Sequence, residues 1–569
     1  MVAVPESLRW RPVAGLLGYL LAVAVIAAPV AAEQAVENVR FADRLGTVPV
    51  EVSLCHNGYS TLDTGVLGAV YWKQTGILGF GACVRVTAPP EAAGTLSSYV
   101  DEKFVRTNAV LINDPDEIAT AYGHAFASAF RKEFLRTEAL LVALGLLVVA
   151  AIRRGAAGRD DDRTPWWGRR LARRLSPSPV LRVVVWPVLL VLLGALVSSV
   201  YAGRSFRQWS GSTAVGETYA LPGVAELSFG SPQTREIAAQ VRPFIEKNTE
   251  RLRERGDEYA DQAVRSFDTA LAGSADRLKA RAGERIVLAE ADPQGSFVGT
   301  AVRTRLYPLL LAQLDGAVVL RTISGDITSN GTVAEDGYVK REAASLKGVP
   351  TVATAGDHDS ARTLEQMEKY GMVVPNLDPS DVAGIRVTTA NDPEFKTLFG
   401  GSVTNPSGVS EAQLGQRLRS VVDPDEPGIV VLHQPEAAAA YLGVPKLESL
   451  ALGHSTTPYD DGIPDVPPGI VDVGHSHRSI GPFVIWNTDT ATTTWTVVDR
   501  LGTSGGAESS PTFNRFSTPF SVPLRPIQMR LQYVDRATGL QTGYATITVG
   551  LDGNASVSER TDVGLPLPR

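Results

Sequence analysis

Three apolar runs divide this chain of 569 residues and limit what it can fold into. Val13 to Ala32 is twenty residues without a charge, long enough to cross ~30 Å of hydrocarbon at ~1.5 Å per residue. Val183 to Tyr201 is a second uncharged run, with Pro187 near its start. The third, Ala139 to Ile152, has fourteen residues and is short by the same measure; taken alone it also fits a buried core helix. Its flanks favour a span. Arg153 to Arg182 holds nine arginines and three aspartates, and basic loops stay cytoplasmic. The N-terminus, with Arg9 and Arg11, is basic as well. Three spans put both basic segments inside and leave 33–136 and 202–569 outside. Were the short run not to span, the Arg-rich loop would face the opposite side from the N-terminus. The sequence therefore predicts a multi-pass plasma-membrane protein. Its parts are a tail and helix at 1–32, an extracytoplasmic β-rich segment at 33–136, spans at 137–153 and 183–201, and a cytoplasmic loop at 154–182. A cleaved signal peptide ending near Ala32 is the alternative for the first run, and it leaves the sidedness unchanged.

The mean hydropathy of +0.01 averages these runs with a long water-facing remainder. With 44% hydrophobic and 20% charged residues the chain is not of the disordered class. Lys plus Arg is 54 against Asp plus Glu 61, a net charge of -7, so no broad basic surface for nucleic acid is implied. Cys55 and Cys83 are the only two cysteines, and both fall in the external segment, where oxidation is permitted. A disulfide there would add roughly 3 kcal/mol; two buried free thiols are the alternative.

Residues 39–88 alternate apolar and polar with β-branched character, which predicts a small β domain. Residues 94–136 read as helical. At 202–284 the chain is rich in charge and helix formers, with Gly and Pro breaking it into a helical stalk or into helices packed on the next domain. From Arg285 to Arg569 apolar, strand-like runs alternate with helical stretches. Ile286–Ala289, Ala317–Ile323, Thr351–Thr354 and Gly428–Leu432 each lead into a Gly, Asp or His. Such strand ends are where α/β folds place their sites.

Five of the seven histidines lie between 358 and 477. The segments are Gly325-Asp326 with Gly331, Gly356-Asp357-His358-Asp359, His433, and Gly474-His475-Ser476-His477, preceded by Asp292-Pro293-Gln294. Two histidines at i and i+2 in a turn can address neighbouring metals, and strand-end aspartates can be terminal or bridging ligands. A Gly before each ligand permits close approach.

In this order the segments resemble the motifs DxH, GDxxxxG, GNH(D/E), H and GHxH of the calcineurin-like metallophosphoesterase superfamily. Asp392–Phe395 and Gly502–Gly506 are similar to segments of its membrane-anchored actinobacterial members. The resemblance implies an α/β (α+β) domain at 285–569, a four-layer αββα sandwich of mixed sheets completed by strands in 481–550. It also implies two divalent ions, with Mn, Fe and Zn not distinguished. Asp292, Asp326 and His477 would hold the first, with Gln294 where the motif has His. Asp326, Asp357, His433 and His475 would hold the second, with Asp357 where the motif has Asn. His358 would stabilise the transition state or protonate the leaving oxygen, oriented by Asp359. The activity implied is phosphoester hydrolysis, with a membrane and a phosphoester as partners. The competing expectation is a silent domain that binds a phosphorylated ligand or a protein. His454 reads as a loop residue, and His56 and His124 as surface or packing residues.

Overall fold

The structure is a computed structural model that describes residues 10–45, 48–56, 59–63, 69–73, 80–87, 115–157, 186–211, 217–220, 227–396, 403–452, 466–487, 493–508 and 522–564. His454 and most of the Arg-rich loop lie outside them. The chain forms two compact units, one of 1–43, 50–89 and 122–239, the other of 44–49, 90–121 and 240–569.

The first unit carries helices α1 (Trp10–Asn38), most of α2 (Pro115–Ala157) and α3 (Trp186–Gly211). With them is a sheet of β1 (Arg40–Leu45), β2 (Val48–Cys55), β3 (Tyr59–Asp63), β4 (Ala69–Lys73), β5 (Gly81–Val86), β6 (Tyr219–Ala220) and β7 (Leu227–Phe229), in the order β1-β2-β5-β3-β4-β7-β6. Cys55 and Cys83 lie on the neighbouring strands β2 and β5 with Cα atoms 5.5 Å apart, joined as a disulfide. His56 packs edge-on against Phe80 and Phe206, and His124 is exposed.

Two helical stretches among the described residues are long and apolar enough to cross a membrane, Leu17–Asn38 and Val188–Trp209. The sequence predicts three. The run Ala139–Ile152 is the end of the 43-residue helix α2, whose earlier turns are polar, and fourteen apolar residues do not reach the required length. That run nevertheless lies against α1, since a Cβ on Gly145 would stand 2.5 Å from Val23 Cγ1. On α3, a Cβ on Gly194 would stand 2.9 Å from Ile26 Cδ1. Glycine allows such close helix contact.

The second unit contains two mixed sheets. One has the order β10-β9-β8-β17-β18-β19, with β20 also on β18. Its strands are β8 (Glu284–Glu290), β9 (Val318–Ser324), β10 (Thr351–Thr354), β17 (Ile527–Asp535), β18 (Gln541–Val549), β19 (Ala555–Val557) and β20 (Thr561–Asp562). The other has the order β11-β12-β13-β14-β16-β15, built from β11 (Ser380–Val382), β12 (Ile385–Ala390), β13 (Gly428–Leu432), β14 (Gly469–Val473), β15 (Ile480–Asn487) and β16 (Thr494–Arg500). Strands β8, β9 and β10 run parallel, as do β12, β13, β14 and β16.

Val287, Leu320 and Val352 of the first sheet pack on Val387, Ile429, Val431 and Ile470 of the second. Strands buried on both faces need such near-continuous apolar runs. The outer face of the first sheet is covered by α4 (Pro232–Leu278) and α5 (Phe297–Gln313). Two shorter helices follow, α6 (Asp336–Ala344) and α7 (Ala361–Lys369), and α8 (Glu411–Val421) and α9 (Pro435–Leu442) cover the second sheet. The layering is helix, sheet, sheet, helix. Helix α4 is one element of 47 residues, where Gly and Pro predict breaks. Tyr259, Ala263, Phe267, Leu271 and Leu278 bury one stripe of it in the core, and that packing outweighs propensity.

Candidate metal centre

Five strands, three from one sheet and two from the other, end at one place. Asp292 follows β8, Asp326 follows β9, Asp357 and His358 follow β10, His433 follows β13, and His475 and His477 follow β14. Among the described residues eight non-glycine positions have positive φ, and five of them are here: Asp292 (50°), Gln294 (50°), Asp326 (53°), His475 (67°) and His477 (55°). Left-handed backbone costs such residues of order 1–3 kcal/mol each and persists only where the surroundings enforce it. Gly325 has φ +81°, and a Cβ there would lie 2.5 Å from His433 Nδ1. A Cβ on Gly356 would run into Asp326 Oδ1. The Gly-rich segment after β16 braces the same loops, with the Thr503 hydroxyl donating to the Asp292 carbonyl at 2.7 Å.

Three side chains gather about His433 Nε2 in an N2O2 arrangement, and within it the ligand atoms of Asp357, His433 and His475 all lie within 4.8 Å of one another. His433 Nε2 is 3.4 Å from Asp326 Oδ1, 3.3 Å from Asp357 Oδ1 and 3.3 Å from His475 Nδ1. His475 Nδ1 is 3.8 Å from Asp357 Oδ1. A tetrahedral ion with bonds of ~2.1 Å sets its ligand atoms ~3.4 Å apart. The His433 Nδ1–H donates to the Ser324 carbonyl at 3.0 Å, which leaves Nε2 as a lone-pair donor facing the set. Two imidazole nitrogens and two carboxylate oxygens this close need a proton or a cation among them. Metal binding by this set fits its chemistry.

The second predicted set is less complete. His477 Nδ1–H donates to the Ala507 carbonyl at 2.8 Å, and its Nε2 stands 3.7 Å from Asp292 Oδ1. Asp292 Oδ2 and Gln294 Oε1 are buried without a hydrogen-bond partner. The Gln294 amide, however, donates to Asp326 Oδ2 at 2.7 Å, so a nitrogen and not an oxygen meets the carboxylate.

Two features differ from the sequence reading. Asp359 does not hold His358. Its carboxylate accepts from the backbone N–H groups of Ile327, Thr328 and Gly356 and from the Thr328 hydroxyl, at 2.8–3.0 Å. Those bonds tie the loop after β9 to the loop after β10, and His358 Nδ1 has no hydrogen-bond partner. The other is Lys396, which sequence reasoning missed. Its Nζ lies 2.5 Å from Asp357 Oδ2, and its backbone N–H donates to the Asp357 carbonyl at 2.7 Å. It follows directly on Asp392–Phe395, but no spacing rule relates that segment to Asp357.

Electrostatically the centre lacks positive charge. Burial, then the neighbouring Asp326 and Asp357, push Asp292 well above the carboxylate range despite the charge of His433. Burial depresses His433, but the carboxylates around it prevail and hold it well above the ordinary value. Burial raises Asp357, yet hydrogen bonds to His433 and His475 bring it far below. Burial, with the nearby cationic groups, lowers His358 and brings His477 down to about 4, so both are neutral at pH 7.

No protein-family model matches this chain, and no curated protein does. Among solved structures it is similar to the protein TT1561 of Thermus thermophilus, with 14% identity and a TM-score of 0.25 over 47% of this chain and 99% of that one.

Proposed function

We propose that this chain is a divalent-metal-dependent phosphoester hydrolase of the calcineurin-like type, acting through residues 285–569 at the extracytoplasmic face of a membrane. The observation that carries this reading is the N2O2 set, in which donors from four converging strand ends meet at His433 Nε2 at 3.3–3.4 Å. Asp326, Asp357, His433 and His475 would hold an ion. Asp292, His477 and Asp326, with Gln294, are the donors a second ion would use. Bound metal supplies Lewis acidity toward a phosphoryl oxygen and lowers the pKa of water for in-line attack.

The chain's own residues supply the rest. The backbone N–H of His358 donates to Asp326 Oδ1 at 2.9 Å and fixes that carboxylate. The neutral His358 imidazole, its Nδ1 unpartnered, would offer a ring N–H as a hydrogen-bond donor to the charge that develops on the phosphoryl or leaving oxygen. Asp359 acts by holding the two loops in register. Placement at the membrane rests on the three apolar runs.

The test is metal analysis of the full chain in detergent together with turnover of a generic phosphodiester. Bound metal with metal-dependent turnover is expected; no metal and no turnover would sink the proposal. The second reading, a silent binding domain, is favoured by the Gln294 amide turned onto Asp326. Activity that appears only in a Gln294→His, Asp357→Asn double variant would establish it.

A further inference from the structure

The two positions at which the metal motifs depart from their pattern each meet a partner from within the chain. Asp357 brings a carboxylate where the motif has a neutral amide, and Lys396 places an ammonium 2.5 Å from its Oδ2. Gln294 replaces an imidazole, and its amide N–H occupies Asp326 Oδ2 at 2.7 Å. Both interactions take the oxygens that point away from the N2O2 set and leave Asp326 Oδ1 and Asp357 Oδ1 facing His433.

Lys396 is anchored by main chain as well as side chain, since its N–H donates to the Asp357 carbonyl. It is therefore part of the strand-end constellation and not a passing surface contact; its side chain is only 28% exposed. The Asp357 carboxylate already faces the Lys396 ammonium. A second divalent ion would have to enter a largely buried site beside that fixed cation, where like charges repel strongly. It would also have to displace the Gln294 amide from Asp326.

We infer that Lys396 supplies, from within the chain, the positive charge that a second metal ion would bring, and that the centre takes one divalent ion, in the set Asp326, Asp357, His433 and His475. Lys396 is a positioning residue, because it acts through Asp357. The inference rests on the metal-dependent reading of the same site.

Calorimetric titration of the metal-free full chain in detergent with Zn2+ and with Mn2+, backed by metal content after desalting, tests it. The wild type is expected to bind one ion per chain. Lys396→Met should tighten that ion by about tenfold or more, the scale on which neighbours of ligands act, and Lys396→Arg should restore the wild-type affinity. A Gln294→His, Lys396→Met double variant should bind two. Two ions of comparable affinity in the wild type would overturn the inference, as would an unchanged affinity in Lys396→Met. Failure of the wild type to bind any ion would instead overturn the metal-dependent reading itself.

Discussion

Two buried charge clusters lie side by side in this domain, and they differ in one respect. In the first, Arg303 and Arg321 face Glu290 and Glu342, all four fully buried. Arg303 Nη1 donates to Glu290 at 2.8 Å and to Glu342 at 2.7 Å, and Arg321 Nη2 donates to Glu290 at 2.7 Å. Tyr307 and Thr300 add further bonds. Two positive groups meet two negative ones, and every carboxylate oxygen has a donor. The second cluster begins two residues further along the chain, at Asp292. Its aspartates Asp292, Asp326 and Asp357 meet Lys396 and the His433 imidazole, and Asp292 Oδ2 is left unpartnered. The carboxylates are buried in both. The balance of charge differs. A neutral network whose carboxylate oxygens are all met holds a fold together; an unbalanced one, held by left-handed backbone, can accept a ligand.

Breaking the balanced network should give the largest effect. Glu342→Leu leaves two buried guanidinium groups to share the one carboxylate of Glu290 and should cost about 3–5 kcal/mol in urea unfolding. A loss below about 1 kcal/mol would show that this cluster is not a closed structural unit.

Filling the unbalanced one comes next. A divalent ion at a hundred to a thousand times its Kd should stabilise the fold by about 3–4 kcal/mol, read as a rise in Tm. The gain should shrink as pH falls. His433, held above its ordinary value, must shed its proton to bind metal, so acid favours the metal-free form. A gain that does not change with pH would rule out His433 as a ligand.

Glu284 gives a smaller effect, away from the site. Burial raises its carboxyl, but the Arg560 fork at 2.7 and 2.8 Å outweighs this and brings it down to about 2. A depressed folded pKa adds stability that is complete above the unfolded value of ~4.3 and is lost as pH falls toward about 2. Glu284→Gln should therefore cost roughly 1.5–3 kcal/mol at pH 7, with the difference from wild type closing in acid. A difference that is constant with pH would contradict the pairing.

The smallest effect is expected where the charge is in excess. Asp326→Asn in the metal-free chain relieves repulsion with Asp292 and Asp357, and should change stability by less than about 1 kcal/mol. A loss on the scale of Glu342→Leu would erase the contrast between the clusters.

The strands that carry the site are legible in the sequence because both their faces are buried. Ile286–Ala289 and Gly428–Leu432 read as continuous apolar runs ending in polar residues, and β8 and β13 cover those residues. The glycines are legible as well, because Gly325 and Gly356 have no room for a Cβ. What escapes the sequence depends on tertiary placement. No local rule tells that Lys396 folds back on Asp357, that the Gln294 amide turns its nitrogen to Asp326, or that the Asp359 carboxylate is taken up by three backbone N–H groups. The continuity of helix α4 escapes for a related reason, since its local breakers count for less than the core that its stripe enters. The charges flanking the apolar run of α2 predict a span, whereas its length alone falls short of one.

The central claim is that the unbalanced cluster is a working metal centre. Its most direct measurement is phosphodiester turnover by the purified full chain, metal-free and metal-loaded, beside Asp326→Asn. The account predicts turnover that needs added ion and falls at least about a thousandfold in the variant. Turnover that is equal with and without metal, or a metal-loaded chain with none, would contradict it.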